Sequence, residues 1–241
     1  MAFFGYSQGG GAAAAAAEEV AGYAPELAVT ATFAGAPPAD LISVLEGVDG
    51  SLIAGVLGYA INTASDLDPE VAAVFDREAT PREMARLREL EHSCIPDTIA
   101  RWAFQRTTDL LAEGRTLRQV IDQEPAVRDY LAGQALGARP ISAPMLVLSG
   151  EHDDLIPHAQ ARAMATGYCR LGGTVDFRTD GIPELIPKTA LNHATPVLTH
   201  IVAALGWLGQ RFAGQPAPSN CQALLEGAPA APLGSSEGLS R

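Results

Sequence analysis

The apolar positions of this chain follow two different periods, and the change from one to the other divides the sequence. Short apolar or alternating runs, bounded by glycine, proline and polar residues, predict four strands at residues 1–4, 27–33, 143–150 and 174–178. From Leu41 to about Leu136, apolar residues instead recur at spacings of three and four, which is typical of helices. We therefore expect an α/β fold, with a parallel sheet flanked by helices and an all-helical insertion between its strands.

Helix-start signals support this division of the chain. Asp40 and the run Thr80-Pro81-Arg82-Glu83 have the pattern of helix N-caps, the second with proline at the first helical position. Seven residues of the insertion are expected to face its core: Leu87, Leu90, Ile95, Ile99, Trp102, Leu110 and Leu111. Outside the insertion, helices are expected at 12–19, 158–170 and 195–212. The predicted domains are a first part of the sheet at 1–40, a helical cap at 41–139, the rest of the sheet at 140–226 and a disordered, low-complexity tail at 227–241.

Charge and composition exclude several classes of partner. The 241 residues carry a net charge of −12, which argues against binding to nucleic acid or to anionic membranes. No apolar run is long enough to predict a transmembrane helix, and the first residues lack the basic region and cleavage site of a signal peptide. The three cysteines show no C-x-x-C spacing, which argues against a structural zinc site and leaves reduced thiols or a disulfide open. The sequence does not predict the oligomeric state.

The residues Gly5-Tyr6-Ser7-Gln8-Gly9 form a G-x-S-x-G pattern between a predicted strand and an alanine-rich helix. In this context a nucleophilic serine sits on a sharp turn, and Gly5 and Gly9 are expected to be small because strand and helix nearly collide there. The helix N-terminus would face an oxyanion that forms near Ser7. The alternative interpretation is a plain Gly/Ser loop before an alanine helix, but the context favours Ser7 as a nucleophile.

A nucleophilic serine needs a general base and a carboxylate that orients the base. Asp153 and Asp154 follow the strand predicted at 143–150, at the edge where open α/β sheets place their sites, and both are candidates. A polar loop that caps the next helix is the alternative. A metal site formed by His152 and the two aspartates is less favoured, because it would need further convergent ligands.

Of the five histidines, His193 is the expected base, because it lies on the predicted loop between the last strand and the last helix. The other four lie in the insertion, beside the acid loop or inside the last helix: His92, His152, His158 and His200. A triad under an acidic cap with an apolar lining predicts an ester substrate with a hydrophobic acyl chain. This chemistry needs no cofactor.

At these residues the chain resembles the secretory lipases, a family of α/β-hydrolases found in fungi and actinobacteria. The resemblance covers most of residues 1–221 and rests on the Ser7 pattern, the acid loop at 150–157, the His193 loop and, most specifically, the end from Trp207 to Cys221. It implies a triad of Ser7, Asp153 and His193, with Asp153 rather than Asp154 as the acid.

The resemblance also implies the backbone N–H of Gln8 as an oxyanion donor, triacylglycerols or related acyl esters as substrates, and export from the cell. It implies a disulfide between Cys169 and Cys221, and for Cys94 a partner near the N-terminus.

The sequence departs from the family at its start. Family members carry a signal peptide and a long stretch of sheet ahead of the serine turn, whereas this chain begins almost at that turn. We therefore expect a C-terminal portion of such an enzyme, with an unpaired edge at its first strand and without the loop that donates the second oxyanion N–H. Loss of one such donor costs about 10²–10³ in rate. The expected function is a lipase or esterase; the alternatives are an acyltransferase or peptidase with the same triad, or a non-catalytic remnant with a binding role.

Overall fold

The computed structural model describes residues 1–228 and 231–232 of the chain. In chain order the strands and helices are β1 (Ala2–Tyr6), α1 (Gln8–Tyr23), β2 (Ala31–Gly35), α2 (Leu41–Val48), α3 (Val56–Leu67), α4 (Pro69–Glu78), α5 (Pro81–Arg88), α6 (Ile95–Trp102), α7 (Leu117–Gln123), α8 (Pro125–Gly133), β3 (Met145–Gly150), α9 (His158–Arg170), β4 (Val175–Asp180), α10 (Leu191–Phe212), α11 (Cys221–Leu225) and β5 (Ala231–Pro232). Most of the tail predicted to be disordered at 227–241 lies outside the described residues.

The described residues divide into two compact units. The sheet unit comprises Met1–Ala39, Leu136–Leu185 and the residues from Asn192 onward, and the helical unit comprises Asp40–Ala135 and Ile186–Leu191. The segment at 186–191 belongs to the helical unit, where the Lys188 ammonium donates hydrogen bonds to main-chain carbonyls at the end of α2 and just beyond it, among them that of Asp49 at 3.2 Å. The interpretation of the helical unit as a cap stays a prediction.

The sheet is parallel throughout, in the order β1-β2-β3-β4-β5, which confirms the predicted α/β class. The second strand begins at Ala31, four residues later than the predicted start at Leu27. The chain at Leu27 is still in a turn, since its N–H donates to the Ala24 carbonyl at 3.0 Å. Within the described residues β1 pairs only with β2, so it forms one edge of the sheet, and Phe4 on this strand is 42% exposed.

Side chains that alternate along the central strands fill the two faces of the sheet with separate cores. On one face Met145 and Val147 pack with α1, α9 and α11, and on the other Leu146 and Leu148 pack with α10. The small residues on one side of α1 are buried, Ala14 completely, so this helix lies close to the sheet. Each large side chain buried in this way stabilises the fold by about 1.5–3 kcal/mol.

The helical unit has its own core, and two of its helices begin directly after the residues that the sequence predicts as N-caps. Asp40 and Thr80 are the N-caps of α2 and α5, and each side chain accepts hydrogen bonds from the first turn of its helix. Leu87 and Trp102 are buried in this core. Ile95 was expected there too, but it is 45% exposed, because it is the first residue of α6 and lies one turn ahead of the buried part of that helix.

A disulfide links Cys169 at the end of α9 to Cys221 at the start of α11, across a sequence separation of 52 residues. It fastens the short helix α11, whose Leu224 is buried, to the core on that face. Cys94 is exposed and is not disulfide-bonded in the part of the chain that the structure describes.

Candidate active site

Ser7 is the single residue between the end of β1 and the start of α1. Its backbone has φ 55° and ψ −126°, a conformation that L-residues rarely adopt and that costs about 1–3 kcal/mol unless the surroundings hold it. Two hydrogen bonds do so: the Ser7 N–H donates to the Gly35 carbonyl at 2.8 Å, and the Ser7 carbonyl accepts from the Gly11 N–H at 3.0 Å. The turn therefore presents the serine side chain at the carboxyl end of β1.

The glycines around Ser7 are not equally constrained. A Cβ atom on Gly5 would lie 1.9 Å from the Gly9 carbonyl oxygen, so the first glycine of the pattern is required as predicted. The prediction for Gly9 is wrong, because a Cβ atom there would have no neighbour within 4 Å among the described residues outside its own helix. The close approach occurs one residue later, where a Cβ atom on Gly10 would lie 2.2 Å from the Gly35 carbonyl oxygen.

Asp153 lies on the loop after β3, with a side chain that is 0% exposed. Its Oδ1 accepts hydrogen bonds from the N–H groups of Leu155 and Ile156 at 2.9 and 2.8 Å. Its Oδ2 lies 2.8 Å from Nδ1 of His193. The loop therefore fixes the carboxylate through one oxygen and leaves the other for the imidazole.

His193 lies in the first turn of α10 rather than on the predicted loop before a helix at Thr195. The helix begins at Leu191, and Pro196 is accommodated within it, near its start. The imidazole is buried, with Nδ1 toward Asp153 and Nε2 2.8 Å from the Ser7 hydroxyl oxygen. A continuous hydrogen-bonded chain thus runs from Ser7 through His193 to Asp153, the arrangement in which a serine can be deprotonated.

The other aspartate of the loop also contacts His193, but at a different atom. Asp154 Oδ1 accepts a hydrogen bond from the His193 main-chain N–H at 3.1 Å. Tyr6 donates its hydroxyl proton to the His193 carbonyl at 2.6 Å. Burial raises the pKa of Tyr6, and the negative charges of Asp153 and Asp180 raise it further. The sequence gives no role to Tyr6, which occupies the variable position before the serine.

The remaining histidines lie away from this chain of hydrogen bonds. His158 Nδ1 is 3.1 Å from the Ser149 hydroxyl oxygen, and burial lowers the pKa of His158. His200, on α10, pairs with Asp180 at the end of β4. The other two are exposed: His92 and His152.

Gln8 is the first residue of α1 and is exposed. The first hydrogen bond of this turn is donated by Gly11, so the helix itself supplies no carbonyl for the N–H of Gln8. A helix N-terminus also carries a partial positive charge. The Gln8 N–H lies at this N-terminus, directly after Ser7, where an oxyanion donor is expected.

Over residues 1–228 and 231–232, no group of three histidine, cysteine or acidic side chains is placed to hold a metal ion. In the same residues no helix combines the length and the apolar character that crossing a bilayer requires.

The chain is similar to known proteins over nearly all its length. A model of the secretory lipase family matches residues 1–220. A secreted triacylglycerol lipase of Malassezia globosa is 27% identical over 227 residues, which cover 92% of this chain and 48% of that protein. A protein of Mycobacterium tuberculosis named as a probable inactive lipase is 29% identical over 216 residues, covering 90% of this chain and 46% of that protein. The chain thus spans about half the length of these curated relatives.

Among solved structures, the chain is similar to lipase A of Candida antarctica, with a TM-score of 0.81 and 18% sequence identity. The match covers 99% of this chain and 52% of that one. At this identity the likeness shows a common fold, that of the α/β-hydrolases.

Proposed function

The chain belongs to the secretory lipase family, and from that premise we propose that it hydrolyses carboxylic esters, with triacylglycerols and other acyl esters as substrates. The observation that carries the proposal is the hydrogen-bonded chain of Ser7, His193 and Asp153 at the carboxyl ends of β1 and β3. The name of the Malassezia globosa relative, a triacylglycerol lipase, supports the substrate class.

In the proposed reaction the Ser7 hydroxyl oxygen attacks the ester carbonyl carbon while His193 Nε2 takes the hydroxyl proton. Asp153 stays ionised, holds Nδ1–H and stabilises the imidazolium. The Gln8 N–H donates to the oxyanion of the tetrahedral intermediate. His193 then returns the proton to the departing alcohol, and the acyl group remains on Ser7.

The second half of the reaction repeats these roles with water. His193 takes a proton from the water molecule, whose oxygen attacks the acyl carbon and displaces Ser7. The products are a carboxylic acid and the free serine. Every proton taken up by the imidazole is returned, so these residues need no cofactor for the cycle.

Labelling with a fluorophosphonate tests the nucleophile directly, because Ser7 would displace fluoride and form a phosphorus–oxygen bond. We expect the wild-type chain to be labelled at Ser7, as read by mass spectrometry of its peptides, and Ser7→Ala to remain unlabelled. Ser219→Ala, which removes an exposed serine hydroxyl before α11, is the matched control and should react like the wild type. The proposal would be refuted if the wild-type chain were not labelled, or if the Ser7→Ala variant were still labelled.

The same triad also suits an acyltransferase or a peptidase. Turnover of nitrophenyl esters, of peptides and of esters with added alcohol separates the three. Hydrolysis confined to esters supports the esterase; cleavage of peptides, or transfer that outpaces hydrolysis, overturns it.

A non-catalytic binding role is the alternative from a different class. One observation favours it: the Mycobacterium tuberculosis relative, at 29% identity, is named as probably inactive. Serine labelling distinguishes the two functions, because a binding protein has no need of a reactive Ser7.

Relatives of the chain are named as secreted proteins, and we propose an extracellular location for this chain as well. The disulfide between Cys169 and Cys221 supports the proposal, since such bonds persist in oxidising compartments. Free thiols at both cysteines in protein isolated from its own cells would contradict it.

A further inference from the structure

Both main-chain polar groups of His193 are held by side chains from other parts of the fold. Asp154, on the loop after β3, accepts from its N–H at 3.1 Å, and Tyr6, at the end of β1, donates to its carbonyl at 2.6 Å. These two partners are 39 and 187 residues away in sequence. The position of the proposed base is therefore fixed by contacts to its backbone as well as to its imidazole.

The start of α10 needs such support, because its own hydrogen bonds are incomplete. The first N–H groups of a helix have no carbonyl partner inside it, and His193 is the third residue of α10. Pro196 has no N–H and cannot donate to the carbonyl of Asn192 four residues earlier. The carboxylate of Asp154 supplies an acceptor and a negative charge at this helix N-terminus, where both are stabilising.

Tyr6 connects the base to the segment that carries the nucleophile. It precedes Ser7 in the chain, and its ring centroid lies 5.6 Å from that of His193. The Tyr6 hydroxyl and the Ser7 hydroxyl thus contact the same residue from adjacent positions, at the carbonyl and at Nε2. Proton transfer needs the serine oxygen and Nε2 to stay within about 3.2 Å, so a fixed backbone at His193 preserves a distance that the reaction depends on.

We propose that Tyr6 and Asp154 are positioning residues, which hold the main chain of His193 so that its imidazole stays aligned between Ser7 and Asp153. The two adjacent aspartates then have separate tasks: Asp153 orients the ring, and Asp154 holds the backbone. The inference rests on the proposed function, since it assigns these tasks within the proposed triad.

Adjacent substitutions at the two aspartates give the sharpest test, with hydrolysis of a nitrophenyl ester as the assay. Asp153→Asn puts an amide where the imidazole needs a carboxylate, and losses of about 10⁴-fold in kcat are typical of that change. Asp154→Asn keeps an oxygen that can accept from the His193 N–H, so we expect kcat to stay within about 3-fold of the wild type. Asp154→Ala removes the acceptor and should lower kcat by about 10- to 100-fold, because a misplacement of about 1 Å costs rates of this size.

Tyr6→Phe removes only the hydroxyl and leaves the ring against His193. We expect a loss of about 10-fold in kcat with little change in KM, since the contact aligns catalytic groups rather than binding substrate. Tyr23→Phe, at a tyrosine that is 90% exposed, is the matched control and should change nothing. Unfolding of each variant in urea separates a loss of alignment from a loss of folded protein.

A second readout does not depend on turnover. The Nδ1 proton of His193, shared with Asp153, should give a strongly deshielded proton NMR signal in the wild type and in Asp154→Asn. In Tyr6→Phe and Asp154→Ala this signal should broaden or move upfield, because the ring is no longer held.

The outcomes separate the two proposals. A wild-type chain without esterase activity or serine labelling overturns the proposed function, while the His193 signal still reports whether the ring is held. Activity in the wild type with unchanged kcat and unchanged signal in both Tyr6→Phe and Asp154→Ala overturns the positioning roles. An equal loss in Asp154→Asn and Asp154→Ala overturns the assignment of Asp154 as an acceptor for the backbone.

Discussion

Replacing Gly10 by alanine places a methyl group against the backbone of the neighbouring strand. The new Cβ atom would lie 2.2 Å from the Gly35 carbonyl oxygen, 3.1 Å from its carbon and 3.2 Å from its nitrogen. These are main-chain atoms, which no change of rotamer can move. The start of α1 and the end of β2 would have to separate by about 1 Å before the contact became an ordinary one.

The effect should appear in stability and in reactivity together. Overpacking of this kind costs about 1–3 kcal/mol. The Gly35 carbonyl is also the acceptor for the Ser7 N–H at 2.8 Å, so its displacement disturbs the serine itself. A shift of about 1 Å at a reacting group costs about 10²-fold in rate. Gly10→Ala should therefore lower both the free energy of unfolding and the rate of fluorophosphonate labelling.

Gly9→Ala is the matched control, one residue away in the same helix. Its methyl group meets no described neighbour within 4 Å outside the helix, and alanine is favoured over glycine in a helix by about 1 kcal/mol. We expect Gly9→Ala to be as stable as the wild type or more so. Urea unfolding followed by circular dichroism measures the difference between the two variants. It should be about 1–3 kcal/mol, because both substitutions gain the same helix propensity and only Gly10→Ala is overpacked.

Equal stability of Gly9→Ala and Gly10→Ala would refute the reasoning, because it would mean that strand and helix do not approach at Gly10. A large loss in Gly9→Ala with a small one in Gly10→Ala would place the close approach at the glycine of the sequence pattern instead.

Two further predictions concern the sheet unit. The double substitution Cys169→Ser with Cys221→Ser should lower the free energy of unfolding by about 3–4 kcal/mol, because the disulfide closes a loop of 52 residues in the unfolded chain. Urea unfolding measures the change, and an unchanged midpoint would contradict this prediction. Burial lowers the pKa of His158 from its ordinary 6.5. Below pH 6.5 the unfolded chain therefore binds a proton more readily than the folded chain does. The free energy of unfolding should fall on acidification until the pKa of the folded state is reached. His158→Asn should flatten this decline in urea unfolding measured at several pH values below 6.5, and an unaltered slope would show that other groups cause it.

Local patterns were sufficient to predict much of the sheet unit. A buried apolar run such as 145–150 and the periodicity change at Leu41 are properties of neighbouring residues, so the α/β class could be predicted from the sequence. The candidate nucleophile and base could be selected because each lies near the end of a strand or the start of a helix. Their roles in catalysis remain proposals that the labelling experiment tests.

The errors in prediction come from contacts between distant segments. The close approach at Gly10 depends on the neighbouring strand, since Gly35 is 25 residues away and only the parallel pairing of β1 with β2 brings it there. Strand β2 begins late because the chain before Ala31 is held in a turn and against Met1. His193 lies inside a helix, and its N–H donates to Asp154 on the loop after β3, a contact between segments 39 residues apart.

The sequence alone determined which residues could perform ester chemistry, because residue type and position relative to strands and helices are local properties. It left two aspartates as equal candidates until a resemblance favoured Asp153. The tertiary structure distinguished the two aspartates, because the Asp153 carboxylate contacts the imidazole of His193 and the Asp154 carboxylate contacts its backbone N–H. It also decided the contact of Tyr6 with a carbonyl 187 residues away, since a hydrogen bond between distant segments exists only once the sheet has brought their ends together.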